Sequence, residues 1–292
     1  MNQIARRLIV FCMGSMLLVG CSVNPATGRK QFNMMSESEE ITIGNDAAPE
    51  FVESYGNELP SGKIVNYVRD IGHDLALASE RTHLPWEFHV VDSATVNAFA
   101  LPGGKIFITR GLLELMDNEA QLAGVLGHEI GHVTAQHIGQ QMTQAMVITG
   151  IGIAIGVVGQ QSDEDWLKVL GVGTSVGGSL YLLSFSRDQE TQADELGVRY
   201  MTRLGYSPMG QLQVMKILYE QSKGSGNKFS EMLSTHPLPQ TRIDHLEKHI
   251  QSHYPDHVDY NQYHEQRFQR TVVKELEKLP PPRHKVKNTG PA

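Results

Sequence analysis

Five consecutive residues constrain this chain more than any others: His128-Glu129-Ile130-Gly131-His132, which reads as His-Glu-x-x-His inside a helical stretch. On an α-helix, residues four apart lie one turn above each other on the same face. Two imidazoles so placed can grip one Zn²⁺, with the Glu between them aimed at the open coordination position. Metal-assisted hydrolysis needs that arrangement. A chain with 13 histidines also meets the pattern by chance at times, so the rest of the sequence has to decide.

A hydrolytic zinc takes three protein ligands and keeps one position for water. His128 and His132 supply two, and the third is expected from Glu190-Thr191-Gln192-Ala193-Asp194. A Glu and an Asp four apart share one helix face. Glu190 can therefore bind metal while Asp194 accepts a proton from the far nitrogen of a ligand imidazole and fixes its tautomer. Taken alone, such a pair reads as a solvated acidic face; following His-Glu-x-x-His, it reads as the missing ligand. Glu129 is then the general base, taking a proton from water and passing it to the leaving amine.

Asn97 to Thr109 predicts a hairpin, with two apolar arms flanking Pro102-Gly103-Gly104. Both arms can be core strands. Alternatively, the arm carrying Asn97, Ala98, Phe99 and Ala100 is an edge strand that pairs with an extended substrate.

Together these residues resemble the family of zinc metallopeptidases that includes the CAAX prenyl endopeptidase and bacterial HtpX, and within it the LoiP-like periplasmic lipoprotein metalloproteases. The pattern stands here as His128-Glu129-x-x-His132, Glu190-x-x-x-Asp194, and His236-Pro237 with Arg242 six residues after the His. It covers roughly residues 36 to 250. The resemblance implies one Zn²⁺ per chain, held by His128, His132 and Glu190, with Glu129 catalytic and Asp194 behind a ligand His. It makes His236 the stabiliser of the transition state or an occupant of the metal's fourth position, and Arg242 its support or a substrate contact. Asn97 and the strand after it would touch the substrate backbone. The fold it implies is of gluzincin type, with the metal between the His-Glu-x-x-His helix and the Glu-x-x-x-Asp helix.

The N-terminus carries an address. Arg6 and Arg7 precede an apolar run, Leu8 to Val19, which is too short to span a bilayer and has the flanks of a secretory signal. It ends Leu18-Val19-Gly20-Cys21, which resembles the bacterial lipobox and implies cleavage before Cys21 and acylation of that residue; the alternative is an ordinary signal peptide with an incidental Cys. Ser22 after the cysteine suggests the outer membrane. The second cysteine, Cys12, leaves with the signal, so no structural disulfide is expected. The formal charge of −7 offers nothing to nucleic acid, which wants a basic face.

The helical and strand patterns predict a mainly α fold with a small β-sheet (α+β). Residues 1–20 form the signal, 21–35 a lipidated linker, 36–253 the metallopeptidase domain and 254–292 a C-terminal extension with a partly disordered tail. Helices are expected from Ser36 to about Tyr55, after Pro60, from Asp117 or Asn118 past His137, from Tyr181 to Met201, after Pro208, and from Pro239. His137 is placed at the surface or behind a ligand. The Gly-rich stretch beginning at Met146 is read as a mobile helical hairpin over the cleft or against lipid, or as two buried core helices.

The expected function is a lipid-anchored zinc endopeptidase of the periplasm, cleaving misfolded or maturing envelope proteins, with outer-membrane assembly machinery or other proteases as partners. Two rivals stand beside it: a non-catalytic assembly factor or chaperone on the same scaffold, and a structural zinc protein with four closed ligands. The carboxylate of Glu129 weighs against the first, since a pure binding module has no need of it.

Overall fold

The computed structural model describes residues 21–60, 62–148, 184–223, 226–257 and 262–282. Residues 1–20, expected to be a signal, most of the Gly-rich stretch and the last ten residues lie outside them. Among the described residues no helix is long and apolar enough to cross a membrane.

Helix α1 (Glu37–Ser54) opens on the expected capping box: Glu39 N–H donates to Ser36 Oγ, and Ser36 N–H donates to the Glu39 carboxylate. Helix α2 (Lys63–Leu77) buries Ile64, Val65, Val68, Ile71 and Leu75 at helical spacing. Three strands follow: β3 (Glu87–Val91), β4 (Ala98–Leu101) and β5 (Lys105–Thr109). They lie in the order β3-β5-β4, with β3 parallel and β4 antiparallel to β5. The predicted hairpin is thus β4–β5, and among the described residues the outer edge of β4 has no partner strand. A short turn, α3 (Arg110–Leu113), leads from β5 towards the central helix.

That helix, α4 (Glu119–Thr134), is capped by Asn118, whose side chain accepts from Gln121 N–H. The sequence suggests one apolar stripe, but every residue of α4 is buried, including its charged ones. Helices α6 (Arg187–Arg203), α7 (Met209–Ser222) and α2 pack against it, and α9 (Gln240–His253) packs on α6 and α7. Glycine makes the tightest of these contacts: a Cβ on Gly131 would stand 2.9 Å from the Ala193 carbonyl oxygen, and one on Gly127 3.1 Å from Gly197 Cα. This backbone approach brings side chains of α4 and α6 within bonding reach.

Four expectations need correction. Helix α4 does not run past His137. It stops at Thr134; Gln136 adopts φ +57°, and a new helix, α5 (His137–Ile148), starts at a fresh angle. Helix α6 begins at Arg187, not Tyr181, because Ser186 and Gln189 form a capping box that fixes its start. Residues 21–35 are not a free linker. Strands β1 (Cys21–Val23) and β2 (Lys30–Phe32) pair antiparallel. The buried Asn24 donates to the Thr134 carbonyl at 3.0 Å, and Ala26 is buried in the main core. The segment after His253 is not merely polar: Phe268, Val272 and Leu276 fill the main core, while Arg110 donates to the carbonyls of Leu276 and Pro280.

Candidate metal centre

Helix α4 presents His128 and His132 one turn apart, and helix α6 presents Glu190 and Asp194 one turn apart opposite them. A short helix, α8 (Ser230–Thr235), ends at His236 and adds a third imidazole. His128 Nε2 lies 3.0 Å from His132 Nε2, and His132 Nε2 lies 3.3 Å from Glu190 Oε1. His236 Nδ1 stands 2.9 Å from Glu190 Oε1 and 3.5 Å from His128 Nε2. One donor atom from each of these four buried residues falls within 4.8 Å of every other.

These separations test whether an ion fits. Donors about 2.0–2.1 Å from a tetrahedral zinc stand about 3.3 Å apart, which is the spacing observed. The donor set, imidazole nitrogens and a carboxylate, suits a small divalent cation of intermediate softness. Glu129 Oε2 is buried without a hydrogen-bond partner, a cost that an entering water or ligand would relieve. The residues present fit a metal.

The protonation states suit it as well. Burial pushes His132 well below the usual imidazole value, so the ring is neutral, as a ligand must be. Burial alone would raise Glu190, but Arg242, His236 and His132 outweigh it and hold its carboxyl well below the usual range. Asp194 is likewise kept ionised against burial by Arg242 and His128. Glu129, by contrast, is raised by burial, with His236 and His128 opposing only in part. Burial lowers His236, yet the Glu190 and Glu129 charges more than compensate and raise it.

Each residue predicted from sequence can now be placed. His128 Nδ1 meets Asp194 Oδ1 at 2.9 Å; with the proton on Nδ1, Nε2 keeps a lone pair for the metal. Arg242 projects from α9 into the same cluster, not into open space. Its Nε and Nη2 donate to the Asp194 oxygens at 2.6 and 2.8 Å, and Nη1 pairs with Glu190. Glu129 Oε1 lies 3.9 Å from His236 Nε2. Asn97 and Phe99 line an apolar cavity with Phe51, Tyr55 and Phe185 that reaches His236, while Ala98 faces a second cavity shared with His128, Glu129 and Arg242. Ala100 lines the first cavity. Cys21 is the first residue of β1, remote in sequence from all of these.

Sequence reasoning missed two neighbours, Gln211 and Phe185, and left His137 two places, of which the structure shows the one behind a candidate ligand: it is fully buried, and its Nδ1 meets His132 Nδ1 at 3.0 Å. The helix break at Gln136 turns it back towards the metal side, and no spacing rule foresees such a break. Gln211 donates to Asp194 Oδ1 at 3.2 Å, and the Phe185 ring centroid lies 3.8 Å from that of His132. Neither residue type carries a metal signature.

Comparison with known proteins agrees with this geometry. A family model described as peptidase family M48 matches residues 64–250. The chain belongs to that family. Among its relatives, the β-barrel assembly-enhancing protease of Yersinia pestis is 31% identical over 185 residues, covering 62% of this chain and 37% of the relative. The same-named protein of Escherichia coli is 30% identical over 185 residues. The mitochondrial metalloendopeptidase OMA1 of Schizosaccharomyces pombe is 31% identical over 229 residues, 77% of this chain and 65% of the relative. The chain thus spans between about a third and two thirds of the length of these relatives. The M48 match contains His128, His132, Glu190, Asp194, His236 and Arg242.

Proposed function

We propose that this chain is a zinc endopeptidase whose protein ligands are His128, His132 and Glu190. The observation that carries the reading is Glu129: a buried carboxylate, unpartnered at one oxygen, set on the same helix as two imidazoles that converge on one point. A closed structural site has no use for that fourth group.

When bound, Zn²⁺ would polarise the scissile carbonyl and lower the pKa of water in the site. The rest falls to the chain's own residues. Glu129 takes the proton from the attacking water and returns it to the leaving amide nitrogen, so no net proton is consumed there. His236, whose protonated form the Glu190 and Glu129 charges favour, donates to the oxyanion that develops on the carbonyl carbon's oxygen. Asp194 holds the His128 tautomer, and Arg242 holds Asp194 and Glu190 in place. The open edge of β4 offers backbone groups to an extended polypeptide, and Asn97 Oδ1, buried without a partner, adds an acceptor beside it.

The address belongs to the same proposal. The lipobox-like Leu18-Val19-Gly20-Cys21 and the bacterial relatives named for β-barrel assembly both support a lipoprotein of the cell envelope, held at the outer membrane and acting on misfolded or maturing envelope proteins. The test is casein hydrolysis by the purified protein, with metal content measured alongside. Cleavage lost on chelation, restored by Zn²⁺ and absent in a metal-loaded Glu129→Gln variant supports the enzyme. A Glu129→Gln variant that still rescues an envelope assembly defect would favour the non-catalytic assembly factor instead.

A further inference from the structure

Among the described residues, six large apolar side chains are exposed, and four of them fall on the β1–β2 hairpin or on the segment and helix that follow it in space: Val23 at 59%, Phe32 at 40%, Met34 at 43% and Val147 at 55%. The register explains the grouping. Cys21 stands opposite Phe32 and Val23 opposite Lys30. In an antiparallel ladder directly opposed residues, and those two apart, share a face. Val23, Lys30 and Phe32 are therefore placed on the outer face of the hairpin, while Gln31 on the inner face is buried and bonded to Gln136. Met34 N–H donates to Thr143 Oγ1 at 3.0 Å, which sets Met34 against α5, and Val147 lies one turn beyond Thr143 on that helix.

We propose that this face lies against a lipid bilayer, so that the enzyme body is seated on the membrane and does not hang from its anchor. The inference rests on the lipoprotein reading, which places acyl chains on Cys21, the first residue of the strand that carries Val23. No flexible spacer intervenes to let the body swing free, because Asn24 is bonded to Thr134 and Ala26 is buried in the core. Scattered apolar residues on a surface are ordinary; a cluster continuous with an anchoring point is not. The formal charge of −7 argues that apolar insertion, not attraction to anionic headgroups, supplies the contact. Lys30 can lay its stem along the apolar face and keep its ammonium at headgroup level.

Seating has a consequence for the chemistry. Thr134, which the hairpin grips, lies two residues beyond His132, and Gln136 is bonded to β2. Fixing the hairpin on the bilayer fixes the height of the metal centre above it. The polypeptides best placed for cleavage are then those held close to the membrane surface.

The test uses the full-length acylated protein in vesicles of phosphatidylethanolamine and phosphatidylglycerol. With Cys12 removed in the signal and Cys21 acylated, Met34→Cys supplies a single reactive thiol for an environment-sensitive fluorophore, and Lys248→Cys supplies an exposed control on α9. Seating predicts a blue shift and quenching by spin-labelled lipid at position 34 but not at 248. Adding Val23→Glu and Phe32→Glu should abolish both signals while the protein stays acylated and in the vesicle fraction. An acylated protein whose position-34 probe stays in water overturns seating and leaves the lipoprotein reading intact. Absence of acylation by mass spectrometry overturns both. A blue shift that grows with protein concentration before vesicles are added makes the face a contact between copies of the chain, which also overturns seating.

Discussion

The two ends of helix α4 each bury a charged cluster, and the clusters differ in one respect. At the N-terminal end, Glu119 accepts from the hydroxyls of Tyr67 and Tyr206, with Arg267 at 3.4 Å to balance its charge. As the first residue of the helix it also sits at the favourable end of the macrodipole. At the C-terminal end, His128, Glu129, His132 and Glu190 point their polar atoms at one another, and a Glu129 oxygen is left without a partner. The first cluster is complete and can only hold the fold together. The second is complete only when something further enters it. Burial and charge are alike at both ends; satisfaction separates structure from function.

The sharpest way to break this contrast is to neutralise one glutamate at each end. Glu129→Gln should lower peptidase activity by about 10²–10⁴, the usual worth of a positioned acid–base group, while metal content and melting temperature hold. Glu119→Gln should do the reverse: activity per folded molecule is kept, and unfolding in urea shows a loss of about 1–3 kcal/mol. Equal effects of both variants on activity would erase the distinction. Next in size, Asp194→Asn should weaken metal binding by about 10–100-fold in a competition titration, since the His128 tautomer loses its anchor. Chelation should then lower the melting temperature of the wild type, because whatever binds only the folded state stabilises it. The Glu119→Gln variant should lose as much on chelation as the wild type does.

The sequence made the C-terminal end of α4 legible and left the N-terminal end dark. Metal chemistry restricts residue type and spacing so tightly that His128, His132 and Glu190 could be named from the pattern, while His236 came only from the family resemblance; the structure gathers all four. The capping box at Ser36, the apolar face of α2 and the β4–β5 hairpin were equally readable, because each is a local pattern. What escaped depends on contacts between distant segments. Tyr67, Glu119, Tyr206 and Arg267 lie far apart along the chain and carry no signature. Gln136 takes a left-handed conformation that no glycine announces, and so the break before His137 could not be foreseen. The hairpin at residues 21–35 and the helix around Phe268 looked polar because each contributes only a few apolar residues to a core that the rest of the chain builds. Gly127, Gly131 and Gly197, which admit close backbone contact between α4 and α6, look like helix breakers until the neighbouring helix is in place.

The smallest effect concerns alkaline pH, and it isolates the satisfied cluster. Burial and the hydrogen bonds to Glu119 raise the hydroxyls of both Tyr67 and Tyr206 well above the usual tyrosine value. In the unfolded chain these groups ionise near pH 10. A folded-state pKa above the unfolded one contributes stability that is full below the unfolded value and drains away as pH rises past it towards the folded one. Urea midpoints should accordingly stay level to about pH 9 and fall above it. Tyr206→Phe, which removes one titrating hydroxyl, should start from a lower midpoint and show a shallower alkaline decline. Measurements on metal-loaded and metal-free protein should show the same difference in slope between variant and wild type, since Tyr206 bonds Glu119 at the opposite end of the helix from His128 and His132. If removing the metal changed that difference, the two ends of α4 would be coupled, and the separation drawn between them would fail.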